Sequence, residues 1–298
     1  MTTLRTWLND EAPASAWQAR CGSYYRGLDR ALRSPMTLFG IAAVLLMILV
    51  AIVAPWLAGI DPNVQDFTCR LSPPSSAHWL GTDQLGRDLW SRLIYGTRPT
   101  LLIVLLVAWL SAPMGLVVGI CAGYFGGWIN TVFMRVTDIF MALPRLVLAL
   151  MFVAVMGPGI INAVIAITVT AWPPYARLAR TETLAIRNSD FLHAARVAGI
   201  PTWRILVGQV LPLCLPSTVI RVTLDMAGVI LTAAGLGFLG LGAQPPLAEW
   251  GAMVSTGRLY IFDQWWVAAV PGAAILFGSL AFNLLGDGLR DVLDPKHA

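Results

Sequence analysis

Charge is scarce in this chain: Asp, Glu, Lys and Arg supply 12% of its 298 residues, while 57% are hydrophobic. A water-soluble globular domain carries about 25% charged residues, so the shortfall argues against a soluble fold. The mean hydropathy of +0.71 points to a membrane. Lysine is scarcer still, because Lys296 is the one lysine among 20 basic residues. A P-loop, GxxxxGK[ST], needs a lysine followed by Ser or Thr, and Lys296 is followed by His297 and Ala298. ATP hydrolysis through that motif is therefore excluded for this chain. The 4 cysteines, Cys21, Cys69, Cys121 and Cys214, are scattered without CxxC or zinc spacing, so neither a disulfide framework nor a metal site is supported. No HExxH occurs, and no Tyr-Asp dipeptide accompanies Gly286-Asp287-Gly288, which leaves intramembrane proteolysis without its ligands or its second carboxylate. A cleavable leader is not expected either. Residues 1–35 carry Arg5, Arg20, Arg26, Arg30 and Arg33 and are too long and polar for one, so the first apolar run is expected to be an uncleaved anchor.

What the chain does have is apolar length. A hydrocarbon core of about 30 Å asks for roughly 20 apolar residues per helix, and six hydrophobic segments can be picked out. The clearest are Met36–Leu57, Thr100–Ala122 and Trp265–Leu285, and Pro212–Ala243 is long enough for a helix plus a re-entrant or interfacial turn. Between Arg145 and Tyr175 the apolar run is broken by MGPGI, which predicts two short helices joined at Gly157, Pro158 and Gly159. An all-α integral membrane protein with six transmembrane helices is expected. Counting Arg and Lys in the connections puts fourteen on the side of the N-terminus and five on the other, with Arg221 inside a span. The excess favours both termini in the cytoplasm. The expected organisation is a cytoplasmic tail over 1–35, a first span over 36–57, a periplasmic loop over 58–99, a core over 100–286 and a cytoplasmic tail over 287–298.

One cytoplasmic interruption is patterned. In NSDFLHAARVAGIPTWRILVGQVLP (188–212), Asn188 or Ser189 suits a helix cap, Asp190 its first turn, and Gly199 the left-handed residue after its end. Pro201 and Thr202 start a second short helix, and Pro212 opens the next span. Phe191, Leu192 and Ala195 are expected to share one face and Trp203, Leu206 and Val207 another, with Arg196 and Arg204 pointing elsewhere. Two readings fit that spacing: insertion into a groove on a partner protein, or a connector lying on lipid headgroups with its arginines on anionic lipid.

His193, Ala194, Ala195, Arg196, then Gly199, and later Leu211 and Pro212, resemble the EAA loop of binding-protein-dependent ABC importer permeases, with His193 standing where that family has Glu. WLGTDQLGRDLWSRLIYGTR (79–98), with Gly81, Thr82, Asp83, Gly86, Arg87 and Asp88, is similar to the GTDxxGRD segment of the dipeptide, oligopeptide and nickel permease subfamily. GYFGGWINTVFMRVTDIFMALP (123–144), LGFLGLGAQPPLAEWG (236–251) and FNLLGDGLRDVLDPK (282–296) are similar to it too. The chain is thus identified as resembling the second, dipeptide-type permease of a pair.

That resemblance implies the type I ABC importer permease fold and a set of partners: a homologous permease, two ATPase subunits carrying ATP and Mg, and an external solute-binding protein. It implies a pore-forming subunit without covalent chemistry or a cofactor of its own, with no nucleic acid as partner. Peptides are the expected cargo, with nickel or other metal chelates and glutathione as alternatives on the same architecture. An ion-driven secondary transporter is the alternative class, and it would show inverted repeats that these halves lack.

Three further signals stand outside these motifs or within them. GLGFLGLG (235–242) satisfies GxGxxG at Gly235, Gly237 and Gly240, but it follows an apolar helix, where small residues serve close helix packing. Asp83, Arg87 and Asp88 suit a structural turn around Gly81 and Gly86, or a contact for a binding protein. Arg221 and Asp225 sit four residues apart in a span and so share a helix face. Each would cost about 2.5–3.5 kcal/mol at the bilayer centre. Either they line the passage and meet the two charges of a zwitterion, or they form a neutralised pair or a contact with the partner permease.

Overall fold

The computed structural model describes residues 34–293 together with Trp7, Ser15, Gln18 and Gly22. Most of the 1–35 tail, with its five arginines, and the end of the 287–298 tail, with Asp294 and Lys296, lie outside the described residues. Every described element is helical: α1 (Pro35–Leu57), α2 (Leu89–Phe125), α3 (Gly127–Ala142), α4 (Arg145–Met156), α5 (Ile160–Ala171), α6 (Pro173–Ile186), α7 (Asp190–Val197), α8 (Thr202–Ile205), α9 (Leu211–Phe238), α10 (Trp250–Gly257) and α11 (Trp266–Leu293).

The chain passes six times between a loop end, which carries residues 58–88, and a hairpin end, which carries α7 and α8. The passes are α1, α2, α3 with α4, α5 with α6, α9 and α11. Among the described residues, α1, α2, the run Thr202–Phe238 and α11 are each long and apolar enough to cross a membrane. The middle two passes are broken. α3 climbs beside α6, and α4 turns from it by 94°. Pro144 sets that bend, because the residue before a proline is pushed to extended backbone, and Leu143 is extended at φ −106°, ψ 145°. Gly157 and Gly159 then reverse the chain between α4 and α5.

Prolines inside the spans have their consequences met locally. Pro55 in α1 has no N–H for the Ala51 carbonyl, and Arg98 of α2 supplies one, with Nε donating to Ala51 O at 2.7 Å and Nη2 to Ile52 O at 3.4 Å. Pro212 does not open a span. The helix is continuous from Thr202 to Phe238, because residues 206–210 widen into a π turn in which Leu211 N–H reaches back to Leu206 O. The wider turn accommodates the proline ring, which otherwise crowds the carbonyl four residues earlier.

The tightest seam joins α2 to α6. Gly115, Gly119 and Gly123 recur every four residues and form one stripe on α2. A Cβ at Gly115 would lie 2.5 Å from Tyr175 Cβ, one at Gly119 would collide with Ala176 O, and one at Gly123 would lie 2.7 Å from Thr183 Cβ. Ala176, Ala179 and Thr183 of α6 are fully buried against this stripe. In lipid, where apolar surface has no drive to leave its solvent, such backbone approach is a main source of helix association.

Candidate functional site

At the hairpin end, Ser189 occupies the cap position of α7 but makes no capping bond; its Oγ donates to Ile186 O at 2.6 Å. Gly199, at φ +73°, closes the helix: Gly199 N–H donates to Arg196 O at 3.0 Å and Ile200 N–H to Ala195 O at 3.1 Å. The expected faces are redistributed. Leu192 and Ala195 turn inward with Ile205 and Val210, onto Leu116 and Ile120 of α2, Ala179 of α6 and Cys214 of α9. Phe191, with which they were grouped, is 48% exposed and joins Val197, Ile200, Trp203 and Val207 on the outer surface. A helix as short as α7 has a narrow inner face, and the bundle beneath it selects which residues occupy that face. His193, Ala194, Gly199 and Pro212 are exposed, and Leu211 is half-buried.

Arg196 is held against the bundle. Its Nε donates to Tyr124 Oη at 3.2 Å, its Nη2 donates to Arg187 O at 3.0 Å, and its guanidinium carbon stands 5.1 Å from the Tyr124 ring centre. Arg187 in turn donates from Nη1 to Gly123 O at 3.2 Å. Arg204 instead lies over its own neighbour Trp203, 5.2 Å from that ring centre.

Midway along α9, Arg221 and Asp225 share a helix face but do not pair with each other. Asp225 Oδ1 accepts from Arg145 Nη1 at 2.8 Å and its Oδ2 accepts from Tyr175 Oη at 3.0 Å. This cluster joins three elements at the two broken passes: Arg145 opens α4 at the 94° bend, and Tyr175 lies just past the break at Trp172. Arg221, one turn nearer the hairpin end, is exposed, and it makes no hydrogen bond or ion pair among the described residues. Proximity on one face was legible in the i, i+4 spacing; a better-placed cation from another helix won the carboxylate.

At the loop end, Asp83 Oδ1 accepts from Leu85 N at 2.8 Å and Arg87 N at 3.0 Å, while its Oδ2 meets Arg87 Nε at 2.7 Å and Arg92 Nε at 3.6 Å. Arg92 also donates to Pro62 O at 3.1 Å. Asp88 caps α2 through Ser91 N at 2.8 Å and meets His78 Nδ1 at 3.0 Å. Thr82, Asp83, Arg87 and Asp88 are all buried, and Thr82 Oγ1 donates to Cys69 O. Gly86, at φ +71°, lies so close to Asp66 O that a Cβ would overlap it. The motif is a folded internal clasp that seats the start of α2, and Gly81 and Gly86 are its turns.

Sequence reasoning missed Tyr124, Tyr175, Arg145 and Glu249 as site residues. Glu249 is buried and caps α10, with Oε1 and Oε2 accepting from Gly251 N and Ala252 N at 2.8 Å each, and it rests on Gly237 of the GxGxxG stretch. The GxxxGxxxG spacing at 115–123 was readable and marks the seam. The partners of Arg145 and Tyr175 carry no local signal.

The architecture and motifs have matches. Residues 115–298 match the family described as binding-protein-dependent transport system inner membrane component, and residues 26–74 match the N-terminal transmembrane domain of oligopeptide transport permease C. The chain belongs to the binding-protein-dependent transport permeases. This permease is 46% identical over 263 residues to a probable D,D-dipeptide transport system permease of Escherichia coli (strain K12), covering 88% of each chain. It is also 46% identical to a di/tripeptide transport system permease of Pseudomonas aeruginosa (strain UCBPP-PA14), covering 86% of this chain and 87% of that one. A glutathione transport system permease of Pectobacterium atrosepticum (strain SCRI 1043) is 42% identical, over 90% and 93% of the two chains. The fold of this chain is similar to that of a chain from the inward-facing MetNI methionine ABC transporter, with a TM-score of 0.55 at 21% identity, covering 68% of this chain and 97% of that one. The permease is a multi-pass membrane protein with the type I importer fold.

Proposed function

We propose that this permease forms half of the pore of an ATP-driven importer of dipeptides and other short peptides. The peptide assignment is supported by relatives whose names specify D,D-dipeptide and di/tripeptide transport. The chain pairs with a second permease, two ATPase subunits that hold ATP and Mg, and an external solute-binding protein. Both termini and the hairpin face the cytoplasm, and the 58–99 loop faces the periplasm.

One observation carries the coupling role. The segment 188–212 turns Phe191, Val197, Ile200, Trp203 and Val207 outward, while Leu192, Ala195 and Arg196 fix its inner side to the ends of α2 and α6. A hydrophobic surface on a short, well-anchored helical hairpin suits a groove in another protein, here the ATPase. Its closure on ATP would displace the hairpin and, through it, the bundle, shifting the pore between inward-facing and outward-facing states.

Purifying the assembly from native membranes in mild detergent, with and without deletion of Ala194–Gly199, tests this. The intact chain is expected to retain a second permease and two ATPase chains, and the deletion to lose the ATPases but keep the second permease. Isolation of the chain alone in both cases would sink the reading and favour a lipid-lying connector.

Arg221 is the residue proposed to meet substrate. An arginine within a span that has no partner among the described residues is too costly to face lipid and suits a wet passage, where it would attract a peptide carboxylate. Asp225 is occupied by Arg145 and Tyr175 and serves Arg221's side of the passage only indirectly. Arg221→Gln is expected to raise the apparent KM several-fold for a peptide with a free C-terminus and to leave a C-terminally amidated peptide unaffected. An unchanged KM for both would remove Arg221 from the substrate path.

A further inference from the structure

If the hairpin receives the ATPase, its displacement must be passed to the spans by particular contacts. Apolar packing of Leu192, Ala195 and Ile205 holds the hairpin to the bundle but is non-directional. Arg196 is different. It grips two separate helix ends at once: Tyr124, next to last in α2, through a hydrogen bond and the ring face, and the Arg187 carbonyl, immediately after α6, through a second hydrogen bond. Arg187 closes the ring by donating to Gly123 O at the end of α2. Both helix ends would otherwise leave their last carbonyls to solvent, so the two guanidinium groups join the ends while satisfying groups already present there.

The two helices gripped in this way behave as one body, because the Gly115, Gly119 and Gly123 stripe brings the α2 and α6 backbones together. The other end of α6 carries Tyr175, whose hydroxyl donates to Asp225 of α9. A continuous set of directional contacts therefore runs from the hairpin through Arg196 to the α2–α6 pair and on to the polar cluster at the centre of the bundle. Arg204, also basic and on the same hairpin, makes no such bond and lies over Trp203 on the outer surface.

We propose that Arg196 is a positioning residue that converts displacement of the hairpin into movement of the α2–α6 pair, so that ATP use and pore movement stay coupled. This rests on the hairpin being the ATPase-receiving element.

The test uses the complete transporter, with the four cysteines of this chain replaced by serine and spin labels introduced at Leu184 of α6 and Asp287 of α11. ATPase retention, ATP hydrolysis and the change in label distance on trapping the ATP-bound state are measured together. Arg196→Ala is expected to keep the ATPase chains and hydrolyse ATP while losing most of the distance change. Arg196→Lys, which keeps a cation over the ring but cannot span both acceptors, and Tyr124→Phe, which keeps the ring but not the acceptor, are expected to fall between. Arg258→Ala, which removes a guanidinium stacked on Phe238 away from the hairpin, is expected to leave the distance change intact.

A full distance change in Arg196→Ala would overturn the proposal, as would loss of the ATPases from that variant, which would make Arg196 a docking contact. Should Arg196→Ala fail to accumulate, full distance changes in both Arg196→Lys and Tyr124→Phe overturn it equally. Deletion of Ala194–Gly199 separates the two levels. ATPases retained after deletion defeat the docking reading itself, whereas ATPases released by deletion beside an unaffected Arg196→Ala defeat only the role of Arg196.

Discussion

Asp225→Ala is expected to lower the stability of the permease by about 3–5 kcal/mol, the cost of breaking a mostly buried ion pair by removing one partner. Arg145 and Asp225 have side-chain exposures of 25% and 14%, and Arg145 Nε and Nη2 are already buried without a hydrogen-bond partner among the described residues. Removing the carboxylate takes away the bond to Nη1 and leaves the whole cation without an acceptor. Tyr175 Oη loses its acceptor at the same time, and an unsatisfied buried hydroxyl adds about 1–3 kcal/mol. Asp225→Asn is expected to be milder, because its amide oxygen still accepts one of the two bonds.

The double variant Arg145→Leu with Asp225→Leu decides what the pair is for. Replacing a buried pair by apolar residues is often neutral or stabilising, so the melting midpoint in detergent should return most of the way to that of the native chain. Recovered stability without recovered transport assigns the charges a part in the transport cycle; recovery of both makes them a structural clasp. A melting curve for Asp225→Ala that overlays the native one would show that the three groups are not coupled as described.

Leucine at Gly119 is the second large effect. A Cβ alone already collides with Ala176 O and stands 2.8 Å from Ala179 Cβ and 2.9 Å from Arg180 N. All three lie on α6, and two of the three atoms are backbone, so no side-chain rotation relieves the clash and the helices must separate. Overpacking costs about 1–3 kcal/mol where neighbours can adjust; here the seam itself is the packing. Separation would also draw Tyr175 from Asp225 and Arg187 from Gly123, which compounds the loss. Gly119→Leu is expected to fail to accumulate in membranes, Gly119→Ala to accumulate with a lowered melting midpoint, and Gly272→Ala, at a helical glycine with open space around it, to behave as the native chain. Native accumulation and melting of Gly119→Leu would mean the seam is not closed as observed.

What was readable in advance differs from residue to residue in a regular way. Gly199 was expected to end α7 and does so at φ +73°, because a left-handed turn is a property of the residues beside it. Gly157 and Gly159 broke the apolar run for the same local reason. Pro212 misled, since the break that a proline demands was absorbed as a π turn and not as a helix start. Phe191 and Leu192 were grouped on one face but are divided between outside and inside. On a helix of two turns the hydrophobic stripe is too short to declare its own direction, and Leu116, Ile120 and Ala179 beneath it decide.

The sequence by itself determined that this is a helical membrane protein, which runs are long and apolar enough to cross a bilayer, and which family motifs it carries, because each of these depends on sums or spacings within about 20 neighbouring residues. The tertiary structure alone decided the rest. It assigned Asp225 to Arg145, 80 positions away, and to Tyr175, 50 away, over Arg221 on the next turn. It also set Arg196 against Tyr124, 72 positions away. A charged group in a bundle pairs with whichever opposite group the helix packing delivers at bonding distance, and that packing is set by seams such as Gly115, Gly119 and Gly123 on Ala176, Ala179 and Thr183, not by the order of residues along one helix.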